Sequence, residues 1–214
     1  MSMRVIVLLG FATCAWAQVN FDNLQPGGLP PNWTRADSSA GSAKFLVRRD
    51  PTAPSRPNVF GQSASGPHQA VFPLLYDKVV CRDGDLSVKF KIGGMKPDQS
   101  AGLVFRYRDV HNYYLLNFSV DKKSISLVRV LNGVSSVIEP EGQRQPGALS
   151  YDLRTNQWYV AKIVFRGPRV RVLFGNRRLF EAQELRVPEA GKTGIWTRGE
   201  TEASFDDFRI DRKS

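Results

Sequence analysis

Residues 98 to 122 read DQSAGLVFRYRDVHNYYLLNFSVDK and gather the side chains of this sequence best suited to chemistry. Asp109 and His111 are candidate general bases, and Arg106 is a cation close to them. A base with a pKa near the working pH and a positive group for an enolate are what proton abstraction beside a ketone requires. The same residues also read as a plain turn, since Asp109 and Asn112 are turn formers and His111 would then be exposed. Recognition without reaction is the second chemistry. Arg106, Arg108, Tyr113 and Asn117 combine a flat apolar ring with guanidinium and amide groups, a set suited to sugar hydroxyls and carboxylates. Trp196 in GIWTRG and Trp33 in PNWT are further rings for stacking, with burial in a core as the alternative for each.

Other reaction classes find fewer parts. Hydrolysis by two carboxylates across a cleft has only Glu139-Pro140-Glu141 and Glu200-Thr201-Glu202 as close pairs, both in expected loops. The two histidines are too far apart in the chain to form a metalloenzyme set, and no metal is expected. Asp206-Asp207 in SFDDFRID raises a structural calcium as an alternative. Adjacent strand residues face opposite ways, however, so the expectation is a partly buried aspartate bound to loop amides and no cofactor.

The elements that must position these residues are strands. In DLSVKFKIGG, Leu86, Val88, Phe90 and Ile92 alternate with Asp85, Ser87, Lys89 and Lys91. WYVAKIVFRG repeats the pattern with Tyr159, Ala161, Ile163 and Phe165, and RVRVLFGN with Val170, Val172 and Phe174. Asn132-Gly133, Gly167-Pro168 and Gly175-Asn176 mark turns, and Asn-Gly between two such runs predicts a two-residue hairpin. Residues 51 to 67 and 139 to 150 read as loop, the first with room for one short strand. The spacing predicts an all-β, two-sheet antiparallel jelly-roll sandwich. Within residues 98 to 122, a loop at 109–112 pairs Tyr107 with Tyr114, Phe105 with Leu116 and Leu103 with Phe118 on the core face. Arg106, Arg108, Tyr113 and Asn117 then share the other face.

The first 17 residues have the form of an export signal: Arg4, an apolar run from Val5 to Trp16, and Ala15-Trp16-Ala17 before Gln18. Acylation at Cys14 is the alternative. Cleavage predicts a single sandwich domain over 18–214, secreted or periplasmic, with no membrane span. Cys81 is then alone and is expected to be a small buried residue. The formal charge of +10 favours anionic partners, acidic glycans among them. No nucleic-acid motif accompanies it, and no nucleic-acid partner is expected.

From Leu86 to Ile210 the order of DQSAGLVFRYRDVHNYYLL, LVRVLNG, NQWYVAKIVFRGPRVRVLFGNRRLFEA and GKTGIWTRGETEASFDDFRI resembles the concanavalin A-like jelly-roll domains grouped with the 3-keto-disaccharide hydrolase family. The resemblance implies an exported bacterial domain of that fold. Phe105-Arg106 and Tyr113 match the family's pattern. Ser100-Ala101-Gly102 stands where members carry Asn-Ser-Gly, and Tyr113-Tyr114-Leu115-Leu116 where they carry Tyr-Glu-x-Gln. An amide, a carboxylate and a second amide are thus replaced. No Glu-x-Asp-x-x-Glu run of the family-16 glucanase type is present either. The reading is therefore a glycan or disaccharide binder using Arg106, Arg108, Tyr113, Asn117 and Trp196. A hydrolase of 3-keto-disaccharides using His111 or Asp109 is the alternative, and a structural cell-envelope domain the third.

Overall fold

The alternating runs form strands, and their apolar sides face one another across a sandwich. The structure is a computed structural model that describes residues 16–36, 43–63, 66–67, 70–94, 96–142, 147–183, 186 and 189–213. In chain order the strands are β1 (Trp16–Val19), β2 (Trp33–Arg35), β3 (Phe45–Arg49), β4 (Asn58–Gln62), β5 (Val71–Cys81), β6 (Asp83–Gly93), β7 (Ser100–Asp109) and β8 (Asn112–Ser119). There follow β9 (Ser124–Leu131), β10 (Val134–Ile138), β11 (Leu149–Ser150), β12 (Trp158–Arg166), β13 (Arg169–Phe174), β14 (Arg177–Gln183), β15 (Gly191–Arg198) and β16 (Glu202–Lys213). One sheet, A, has the order β14-β13-β12-β6-β16-β4-β3, with β1 also on β16. The other, B, has the order β10-β9-β8-β7-β15-β5-β2, with β11 on β9. All these pairings are antiparallel. The Asn132-Gly133 turn joins β9 to β10 with both residues at positive φ, and the short strand expected between 51 and 67 is β4.

The space between the sheets is filled by the residues the alternation predicts. Leu86, Val88, Phe90 and Ile92 of β6 meet Leu103, Phe105, Tyr114, Leu116 and Phe118 of sheet B in one buried cluster. Trp33 is core rather than contact surface, edge-on to Phe208 at 4.9 Å between centroids. Cys81 is buried as expected, and burial pushes its thiol up to about 11. Polar groups also tie the sheets together. Thr197 of β15 donates to Gln62 of β4 at 2.5 Å, and Gln62 Nε2 donates to the Gly199 carbonyl at 2.6 Å.

One expectation about β7 requires correction. The turn at Val110-His111 sets Asp109 opposite Asn112, as the reading required, but the ladder then shifts, and Phe105 lies opposite Tyr114 rather than Leu116. Three residues, Arg106 to Arg108, occupy the interval that Tyr113 fills on β8. Arg106 sits at φ +48°, so its side chain and that of Phe105 both turn inward, and Tyr107 is displaced to the outer face. Arg106 is therefore not on the outer face: its side chain is 1% exposed.

The buried guanidinium spans the two sheets. Its Nε donates to the Arg82 carbonyl at 2.7 Å, and one terminal nitrogen donates to the Gly167 carbonyl at 2.7 Å and to Asp83 at 3.2 Å. Asp83 also accepts from the Gly167 N–H at 2.8 Å. Phe165 and Tyr114 lie against its face. Gly191 makes room for this bulge. A Cβ there would stand 2.4 Å from the Arg106 carbonyl carbon and 2.6 Å from the Tyr107 nitrogen.

Paired charges also cover the outer face of sheet A, with Asp85 between Lys162 (3.0 Å) and Arg166. Burial raises the Asp85 carboxyl pKa, but the hydrogen bonds and charge of Arg166 and Lys162 outweigh that effect and hold it below its ordinary value.

Two predictions follow from these charges. Arg106→Met leaves Asp83 and two carbonyls without their donor, and denaturant unfolding should show a loss of about 3 kcal/mol. Arg106→Lys should not restore it, because an ammonium cannot reproduce the fork. For Asp85, the lowered folded pKa means that its stabilisation is complete above the unfolded carboxylate value of about 4 and is lost as pH falls through the folded value. Unfolding free energies measured from pH about 5 down to about 2 should decline less steeply in Asp85→Asn than in the parent protein.

Candidate functional site

Sheet B carries a second apolar cluster on the face turned away from the core. It comprises Leu75, Val104, Tyr107, Tyr113, Leu115, Val130 and Trp196, all buried. Strand pairing explains how residues so distant in sequence meet there. β15 lies between β7 and β5, which places Trp196 opposite Gly102, and Gly102 is opposite Asn117, which is opposite Ser126. Gly102 keeps this row open. A Cβ on it would stand 2.3 Å from the Leu116 carbonyl oxygen and 2.8 Å from Leu115 Cδ1.

A groove of about 330 Å³ runs over these strands, lined by Trp196, Tyr113, Leu115, Asn117 and Arg198, with Ser126, Ser135 and Ser136 on its far side. Its character changes along the strands. Toward the Val110-His111 turn the rows hold Tyr113, Leu115, Val128 and Val130. Toward the other end they hold Asn117, Ser124, Ser126, Lys122 and Arg198. Among the described residues, none that lines the groove is an aspartate or glutamate.

Three buried polar atoms in this lining lack a well-formed hydrogen bond: Asn117 Oδ1, Trp196 Nε1 and Arg198 Nε. A buried polar group without a partner costs about 1–3 kcal/mol, so three around one cavity mark a place where a ligand or water completes the bonding. Burial raises the Tyr113 phenol pKa, and the nearby Trp196 N–H only partly counters it. Tyr113 is thus a neutral hydroxyl at neutral pH, able to donate as well as accept. Its ring and that of Tyr107 lie 5.5 Å apart.

Of the sequence-predicted residues, the structure brings Tyr113, Asn117 and Trp196 together. Arg106 lies on the opposite side of the sheet. Arg108 pairs with Glu189 at 2.5 Å and, with Asp109, lines a shallow neighbouring depression. His111 is exposed at the turn. Asp109 accepts from the His111 N–H at 2.8 Å and from Asn112 at 2.9 Å. Burial raises the Asp109 pKa slightly, and these bonds pull it below the ordinary value, which suits a turn cap better than a base. Asp206 is buried, accepting from the Ser55 N–H and hydroxyl, both at 2.9 Å, while Asp207 pairs with Lys89 at 2.7 Å. The two carboxylates therefore face different partners, and no group of three or more His, Cys, Asp or Glu side chains converges among the described residues. No helix among them is long and apolar enough to cross a membrane.

Sequence reasoning missed Arg198 and Lys122. Arg198 had a signal available, since it is two residues from Trp196 and so on the same face.

No protein-family model and no curated protein sequence matches the chain. Solved structures do share its architecture. The carbohydrate binding module CBM66 from Bacillus subtilis superposes with a TM-score of 0.63 at 16% identity, over 83% of this chain and 94% of that one. A native glycosidic hydrolase gives 0.55 at 10% identity, over 96% and 99%. A β-1,3-1,4-glucanase (lichenase) from a mouse hindgut metagenome gives 0.53 at 12%, over 92% and 98%. What the chain shares with them is the fold: an all-β, two-sheet antiparallel sandwich of the concanavalin A-like lectin and glucanase type.

Proposed function

We propose that this protein is an exported glycan-binding sandwich and that the groove on the outer face of sheet B is its sugar site. The observation that carries the reading is a groove floored by Trp196 and Tyr113 and edged by Asn117, Arg198 and Lys122, in which Asn117, Trp196 and Arg198 each hold a buried polar atom short of a well-formed hydrogen bond. Aromatic surface beside directed donors and acceptors is what a sugar ring requires, since its C–H face is apolar and its edge is all hydroxyl. The fold shared with a carbohydrate binding module and with glycoside hydrolases supports the reading. Binding is favoured over cleavage because the groove lining offers no carboxylate among the described residues, and either form of ordinary glycoside hydrolysis needs two. The 3-keto-disaccharide route finds no base in the groove, because Asp109 caps the turn through the His111 N–H and Asn112, and the exposed His111 is not among the lining residues. Export rests on the leader-like first 17 residues.

The test is a glycan-array screen on the protein, with titration of each hit against variants whose folding is checked by thermal melting. Trp196→Ala and Asn117→Ala should each weaken binding by about tenfold or more, whereas Trp158→Ala, on the other sheet, should not change it. An array with no hit, or hits indifferent to both groove substitutions, would remove the proposal. Release of monosaccharide from 3-keto-disaccharides would favour the hydrolase instead.

A further inference from the structure

We infer that the ligand of this groove is negatively charged, a glycan bearing a carboxylate or sulfate that seats against Arg198 and Lys122; the inference rests on the sugar-site reading above. Several cations on the surface are matched. Lys91 pairs with Asp50 at 2.6 Å, Lys192 with Asp77 at 2.6 Å, Lys89 with Asp207 at 2.7 Å, and Arg171 with Glu181. Arg108, just beyond the groove, has Glu189. Arg198 differs. It is half-buried, it makes no ion pair among the described residues, and its Nε is enclosed without an acceptor. Removing a guanidinium edge from water with no counter-charge is unfavourable, and an anionic ligand supplies both missing elements, charge and acceptor.

The register gives that anion a defined place. Arg198 lies on the strand that pairs with β7, one row beyond Trp196 and Gly102. Ser100 and Ser119 are opposite each other in that row, and Ser119 is opposite Ser124. Lys122, exposed in the turn after β8, closes the row at its far end and likewise makes no ion pair among the described residues. Ser100 and Ser119 are buried, so the part of the row open to the groove is Ser124 between Arg198 and Lys122, and two cations beside a hydroxyl suit an acid group. The adjacent row, Trp196, Gly102, Asn117 and Ser126, suits the ring that carries it.

The experiment uses calorimetric titration of the protein with three probes: an oligogalacturonate, its fully methyl-esterified neutral form, and a sulfated oligosaccharide of similar length. The oligogalacturonate or the sulfated probe should bind at least about tenfold more tightly than the neutral ester, and comparison of the two acids identifies the preferred anion. The preference should shrink as salt rises from 20 to about 300 mM, because part of it is Coulombic. Arg198→Gln should abolish the preference, and Arg177→Gln, an exposed change on β14 of the same formal charge, should leave it intact. Equal binding of acid and ester, or a preference that survives Arg198→Gln, would overturn this inference and leave the sugar site standing. Loss of the preference in Arg177→Gln as well would overturn it in favour of unspecific attraction to a basic protein. Binding to none of the three probes, together with an array on which only neutral glycans score, would also end it. An array without any hit would end both readings.

Discussion

A single buried cation sets the geometry on which the rest depends. Arg106 belongs to sheet B by its backbone, yet the carbonyls and carboxylate that satisfy it come from the β5–β6 junction, the start of β6 and the turn after β12. A guanidinium with essentially no exposure cannot be left short of acceptors, so the two sheets are fixed relative to each other at this end of the sandwich. β7 meets the demand by bulging, and the bulge rotates Tyr107 outward to join Tyr113 and Trp196. The apolar floor of the groove is thus partly a by-product of satisfying a charge on the opposite side of the same strand. Gly191 follows from the same constraint, since any larger residue would strike the bulged backbone.

Much of this architecture was legible in the chain. Strands β6, β12 and β13 follow from strict alternation, and the β9–β10 hairpin from Asn-Gly, because a half-buried antiparallel strand has no other way to segregate its faces. The bulge was not legible. Arg106-Tyr107 reads equally well with either residue inward, as both side chains are part apolar and part polar, and only acceptors 24 and 61 residues away decide between them. For the candidate site, Tyr113, Asn117 and Trp196 could be assigned to exposed-face positions by counting in twos. That β15 lies beside β7, bringing Trp196 within one strand of Asn117, is a long-range pairing that no local pattern encodes. The alternation also had no means of telling Asp109 as a base from Asp109 as a turn cap; the hydrogen bonds from the His111 N–H and Asn112 place it as a cap.

The distribution of charge gives the surplus of basic residues a structural meaning. On the outer face of sheet A, cations and carboxylates interleave across neighbouring strands, as with Lys162, Asp85 and Arg166, and such pairs contribute modestly to stability while keeping the surface well hydrated. The groove on sheet B departs from that habit, with basic groups, hydroxyls and an amide but no acid. The described lining of the groove therefore carries cations without carboxylates beside them.

The groove holds Tyr113 toward one turn and the cations Lys122 and Arg198 toward the other, and this asymmetry has a consequence for directionality. A chain-like ligand has two ends that differ chemically, and a cleft of uniform lining would accept it in either sense. For the acidic glycan proposed above, reversal would move the acid group away from Lys122 and Arg198 toward Val128 and Val130, so the two orientations would differ in free energy. Under that proposal the sandwich would distinguish head from tail in a polymer whose repeating units are otherwise alike.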